Sequence, residues 1–390
     1  MSLTRFNAPA EEGDCRPIHL SPPLRVPALG RLSAYVASRP RTMFARGGPS
    51  LTVHLEDALL RFPNTHRHLE PPDRHSASRE AAEDHAHDSF FQVVRVDDEP
   101  CAVFARALLH ARLILFDEIG SDTVATDSVD AGAIDQALSD ICVRLFGARS
   151  PVGIPDTNLT LPGFEARSSS DEAGYRDDLA LRRWIRGHQL FAVLTQGLIV
   201  ACHALARALR ADDTSLMHAH VDLCLSVFRG SSAALRFTSH FSETAYNDRV
   251  RPRMMPPAAP IPLSGLMSAD HRALVRTMRD MKPAFLALRD REPERYQRLH
   301  DALSTVYDSH IYVCERFVGE QQSLLTAGRT EKSGPDLIRH FKSLRLKVLE
   351  RDQRVEPLEL DERPTRYMAA DRPVRRRPST SSHHREDEGG

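Results

Sequence analysis

From Phe90 to Gly147, and again from the loop after Pro151 to about Phe237, apolar residues recur three and four positions apart. That is the period of helices that bury one face. The pattern predicts a helical stretch over 90–147, with a small hairpin around Asp97-Asp98-Glu99-Pro100. Next come a long helix ending near Arg210 and another from about Asp213 to Phe237. The run Leu190–Ala206 is the most apolar in the chain, but Gln196 and His203 interrupt it. Its length is near the lower limit for a membrane span, which makes it a central buried helix. Trp184, within Arg182-Arg183-Trp184-Ile185-Arg186, reads as a packing anchor.

A Pro-rich crossing at Arg251–Pro257 leads into a helical hairpin that turns at Arg289–Pro293. Ser268 caps its first helix, and Asp270 suits the positive end of the helix dipole. Pro283 predicts a kink in the first helix, and Pro293 suits the first position of the second.

Outside these helices the pattern fails. Residues 1–50 are Pro-rich and read as a partly ordered arm, and 51–350 as one helical domain. The strongly charged residues 351–390, including Arg375-Arg376-Arg377, read as a disordered tail. The polar stretch Thr65–Asp88 contains His66, His68, His75, His85 and His87. His66 with His68, or His85 with His87, could bind a metal, but the stretch is expected to be a solvated loop, because no cysteine or supporting partner pattern accompanies its histidines.

The 390 residues carry a formal net charge of −1, so no global field points to nucleic acid or an anionic membrane. Six cysteines without CxxC spacing do not form a secreted disulfide framework. The amino end lacks a signal peptide's apolar core. These features predict a cytoplasmic protein and leave room for a homo-oligomer.

The most specific chemistry lies in the hairpin. His271 is followed 39 positions later by His310 (310 minus 271), and Cys314 stands one helical turn beyond. Residues four apart share a helix face, with Cβ atoms about 5–6 Å apart. His310 could therefore ligate an iron while the Cys314 thiolate reaches a porphyrin edge. His271 and His310 lie nearly level about the turn, and a kink at Pro283 would separate helices otherwise too close to hold a haem. With 19 His and 6 Cys a single His-x-x-x-Cys pair is weak evidence. A second copy, His220-x-x-x-Cys224, reads as core packing, with a pocket-lining role left open.

The spacing of His271, His310 and Cys314, the run Pro262–His271, and Phe228–Phe237 together resemble the haem-dependent aromatic oxygenases. Within that group they resemble the hydroxylases of 3-methyl-L-tyrosine in saframycin-type antibiotic biosynthesis, over roughly residues 180–325. The resemblance implies an all-α helical bundle like tryptophan 2,3-dioxygenase, with haem between helices. It implies a peroxygenase that converts 3-methyl-L-tyrosine to 3-hydroxy-5-methyl-L-tyrosine with hydrogen peroxide. His271 and His310 are the expected iron ligands. Haem b would be attached through one thioether to Cys314, a c-type link, although no Cys-x-x-Cys-His motif is present. An iron held by two imidazoles cannot meet peroxide, so His271 is the ligand expected to leave and to act as acid and base. Arg236 is the expected partner of the substrate carboxylate. Alternative readings are a haem-dependent L-tyrosine 3-hydroxylase, a bis-histidine c-type haem electron carrier, and a helical interaction protein without haem.

Overall fold

The computed structural model describes residues 15–27, 78–120, 128–146, 179–319 and 333–349. The fold is all-α with one small sheet. Strand β1 (Ile18–Leu20) is followed by α1 (Arg79–Phe90), β2 (Val93–Arg95), α2 (Pro100–Gly120) and α3 (Ser128–Phe146). Then come α4 (Ala180–Arg210), α5 (Thr214–Thr238), α6 (Ala269–Asp280), α7 (Lys282–Arg291), α8 (Pro293–Phe317) and α9 (Gly334–Leu349). Short helical turns over 243–254 join α5 to the segment before α6.

Helix α4 is the axis of the bundle. Its 31 residues extend about 46 Å, and 89% of its most apolar window is buried inside the protein. Polar residues within it are engaged. Gln189 and Gln196, seven residues apart and so on one face, donate their amides to backbone carbonyls that flank the two strands. Gln189 reaches Arg16 O and Phe91 O at 3.3 Å, and Gln196 reaches Ser21 O at 2.9 Å. Such partners are what a polar group needs to lie in a core.

Helices α3, α4 and α5 pack closely where glycine leaves room. A Cβ on Gly187 would lie 2.0 Å from Thr238 Oγ1, and one on Gly230 would lie 2.4 Å from Ala137 Cβ. Between α4 and α5 the chain reverses through Asp212 at φ 54, and Asp213 caps α5 by accepting from Leu216 N at 2.9 Å.

Three expectations are corrected. The stretch expected as a hairpin near Asp97–Pro100 instead follows β2, which pairs in parallel with β1, and Pro100 opens α2. Ile18 and Leu20 of β1 are fully buried, so part of the stretch read as an arm belongs to the core. Residues 79–88 of the supposed solvated loop form most of α1, with Glu83, His87 and Asp88 buried. Their polarity is absorbed locally: Arg79 donates to Glu83 at 2.8 Å and Arg95 donates to both oxygens of Asp88. His66, His68, His75 and the charged tail lie outside the described residues.

The hairpin is built from three helices rather than two. The first helix stops at Met281, and Pro283 stands at the start of α7, where its missing N–H leaves no bond unmade. This break lets α6 lie on α4 while α7 remains against α8. Residues of both α6 and α8 line the cavity in which the site sits.

Candidate functional site

Each candidate side chain is placed by a local device. Ser268 Oγ accepts from His271 N at 3.0 Å and starts α6 there. Asp270, 1% exposed, accepts from Arg95 Nη2 at 2.7 Å and from Gln196 Nε2 at 2.8 Å. The first turn of α6 is thereby tied to β2 and α4. On α8, Ser309 Oγ meets Ser232 Oγ of α5 at 2.6 Å, beside His310. Arg316 donates to Ser239 O and Phe241 O at 3.0 and 2.7 Å, fixing the turn that carries Cys314.

His271, His310 and Cys314 line one cavity of about 150 Å³, and the walls are mostly apolar. Leu198, Phe228, Leu274, Leu303, Val313 and Phe317 contribute to them. Trp184 stands edge-on to Tyr246, Phe241 and Phe317, and lines the cavity as well as packing. Among the described residues its buried indole N–H meets no hydrogen-bond acceptor.

Burial, joined by the charge of Arg345, pushes the pKa of His271 down to about 3, and burial pushes His310 to about 4. Both imidazoles are therefore neutral, with lone pairs available. Neither ring hydrogen-bonds to another side chain among the described residues. Burial, with a smaller push from Glu315, raises Cys314 to about 12. The sulfur stands as a thiol, not the thiolate expected from the sequence.

A third histidine, His188, also lines the cavity and was not singled out by sequence spacing. Its Nδ1 donates to Trp184 O at 2.7 Å, its ring stacks on Phe91 with centroids 4.1 Å apart, and burial lowers its pKa to about 3. With Nδ1 committed, Nε2 is an acceptor. Gly265 lies beside it: a Cβ there would be 2.7 Å from His188 Nε2.

Three residues weighed from the sequence stand elsewhere. Arg236 donates through Nε to both oxygens of Asp130, at 3.1 and 3.0 Å, and through Nη1 to Ser232 and Ser309, each at 3.0 Å. It is not among the residues that line the cavity. His220 and Cys224 are also absent from the lining, and both are buried, with Cys224 against Cys202 of α4.

No group of three or more His, Cys, Asp or Glu among the described residues is arranged to hold a metal ion. A metal held by His271 and His310 would need most of its coordination from a macrocycle. The residues fit a haem in that sense: two neutral imidazoles, apolar walls, and a thiol one turn from one imidazole.

The family model described as SfmD 3-methyl-L-tyrosine peroxygenase matches residues 19–298. The chain belongs to that family. The match includes His271 and ends before His310 and Cys314. A 3-methyl-L-tyrosine peroxygenase of Streptomyces lavendulae is 37% identical over 171 residues, covering 44% of this chain and 47% of the relative. The chain thus spans about half the length of the curated relative it matches. A crystal structure of SfmD reduced by soaking with sodium hydrosulfite superposes with a TM-score of 0.59 and 25% identity. That likeness covers 78% of this chain and 99% of the other, so the SfmD fold extends over nearly all of that chain.

Proposed function

We propose that the protein is a haem-dependent peroxygenase that hydroxylates 3-methyl-L-tyrosine to 3-hydroxy-5-methyl-L-tyrosine with hydrogen peroxide, within saframycin-type antibiotic biosynthesis. The observation that carries this reading is the convergence of His271, His310 and Cys314 on one apolar cavity in a chain of the SfmD family. Haem bound there supplies the oxidising chemistry that moves a peroxide oxygen onto the aromatic ring.

The protein's own residues hold and gate that chemistry. His310 and His271 offer neutral imidazoles that would hold the haem iron. Cys314, one helical turn from His310, would anchor the haem through a thioether, since adding its S–H across a vinyl group needs no external oxidant and a haem held by His310 would lie within its reach. With the His310 side anchored, His271 would be the imidazole that leaves the iron. Once free, an imidazole nitrogen of His271 accepts a proton from peroxide and returns it to the departing oxygen. The apolar walls exclude bulk water from the reacting atoms.

Intact mass under denaturing conditions, read beside the optical spectrum, tests the proposal in wild type and Cys314→Ala. One haem mass retained by wild type and lost from the variant is the expected result. Turnover with peroxide should then favour 3-methyl-L-tyrosine over L-tyrosine in direct competition. Preference for L-tyrosine would favour a tyrosine 3-hydroxylase, and an iron that never admits peroxide or cyanide would favour an electron carrier. Colourless protein expressed with ample haem would remove the catalytic reading.

A further inference from the structure

We propose that Nε2 of His188 accepts a hydrogen bond from the phenol hydroxyl of the bound substrate, and so selects tyrosine-type rings over phenylalanine-type rings. This assignment rests on the peroxygenase reading above and adds to it the group that recognises the ring.

His188 projects from α4 and is held firmly. Nδ1 donates to Trp184 O at 2.7 Å, the ring stacks on Phe91 with an interplanar angle of 19°, and the Trp184 indole packs against it with centroids 4.6 Å apart. A carbonyl oxygen can only accept, so Nδ1 carries the proton. In a neutral imidazole the other nitrogen then bears a lone pair in a fixed direction. Burial keeps the ring neutral, and positive charge on His87 or His310 would oppose its protonation further. No donor among the described residues meets Nε2, while His188 and Gly265 both line the cavity. A Cβ on Gly265 would stand 2.7 Å from Nε2, so the glycine keeps a side chain off the acceptor.

Three histidines line the cavity among the described residues. His271 and His310 turn their lone pairs to the iron in the reading above, which leaves that of His188 for the organic ligand. The amino acid has three polar ends. Its carboxylate has no proton to give, and its ammonium group would bring a net charge that a neutral imidazole in an apolar wall cannot offset. The phenol is a neutral donor and needs one acceptor. In the hydroxylation proposed above, the new oxygen arrives on the ring carbon next to the one that bears the phenol. Holding the phenol therefore also limits which ring carbons can face the iron.

Calorimetric titration of the haem-loaded full chain, without peroxide, tests the assignment. The ligands are 3-methyl-L-tyrosine and 3-methyl-L-phenylalanine, the same molecule without the hydroxyl group. Wild type should bind the tyrosine derivative on the order of 10–100-fold more tightly. His188→Phe keeps a ring to stack on Phe91 but has no acceptor, and should lower that ratio by about tenfold, chiefly through weaker binding of the tyrosine derivative. His188→Gln, whose Oε1 can accept, should keep part of the ratio and serves where His188→Phe does not fold.

A purely structural role for the ring would weaken both ligands alike. Folded, haem-loaded variants with the wild-type affinity ratio would therefore overturn the assignment, as would a wild type that binds the two ligands equally. Wild-type protein that takes up no haem, or binds neither amino acid, would instead overturn the peroxygenase reading, and this assignment with it.

Discussion

Gln196 of α4 donates to Asp270 at 2.8 Å, and Asp270 is the residue immediately before His271. Arg95 closes the same carboxylate from the other side, at 2.7 and 3.2 Å, while gripping Asp88. The start of α6 is therefore fixed by a buried ionic network. Removing Asp270 leaves Arg95 paired with Asp88 but takes the acceptor from Gln196 and from two guanidinium N–H groups. Asp270→Ala should cost about 1–3 kcal/mol of stability, measured by urea unfolding. Asp270→Asn, which keeps an acceptor for Gln196, should cost less. Equal stability of wild type and Asp270→Ala would mean that the network does not hold α6.

Arg236 gives the opposite expectation. Its bonds to Asp130, Ser232 and Ser309 join α3, α5 and α8. Asp130 is buried, so Arg236→Ala strands it and should destabilise the fold by about 1–3 kcal/mol. Once the variant is folded, its KM for the aromatic substrate should remain within about twofold of wild type, since the side chain does not line the cavity. A KM raised tenfold or more at unchanged stability would restore the substrate-binding role expected from the sequence.

Acid should weaken the fold in two windows. Burial lowers His188 to about 3 and His110 to about 4, below the unfolded value near 6.5. The unfolded chain then binds protons more readily. Stability is complete above pH 6.5 and declines as pH falls toward these folded values, by about 1.4 kcal/mol per pH unit for each such group. Burial alone would raise Asp88, but the charge and hydrogen bonds of Arg95, together with His87, outweigh it and set its pKa at about 2. Its contribution is present above about 3.8 and is lost between there and 2. Urea unfolding of wild type at pH 7 and pH 5 should differ by about 2 kcal/mol more than the same pair in His188→Gln. Equal differences would show that His188 does not titrate this way.

Much of the bundle was legible because local signals agreed. The apolar period, Asp213 at the α5 cap, Ser268 at the α6 cap and Pro293 at the first turn of α8 give those helices within a residue or two. The spacing of His271, His310 and Cys314 identified three residues that line one cavity. Features that depend on distant partners were not legible. The pairing of Ile18 with Val93 joins residues 75 apart (93 minus 18), and no local pattern encodes it. Helix α1 was obscured because Asp88 looks like surface until Arg95 is placed beside it. Arg345 looks like any basic residue of a charged helix until α9 is folded over His271. His188 had no motif, because the close approach of Gly265 comes from a segment 77 residues away (265 minus 188).

That approach gives the sharpest test of cavity shape. Gly265 lies in the short turn Gly265–Met267 before α6, and an added methyl group would stand 2.7 Å from His188 Nε2 and 3.1 Å from Cδ2. The imidazole has little room to yield, since Nδ1 is tied to Trp184 O and the ring is stacked on Phe91. Gly265→Ala must therefore move either the turn that leads to His271 or the His188 ring. Overpacking of this kind costs about 1–3 kcal/mol, and the strain falls on the cavity rather than on the α3–α5 core. The expected outcome is a folded protein that loses stability within that range and has a lower kcat with peroxide. His188→Ala in the Gly265→Ala background should recover part of the stability, because it removes the group the methyl meets. Additive losses in the double variant would place the strain in the turn and not against His188.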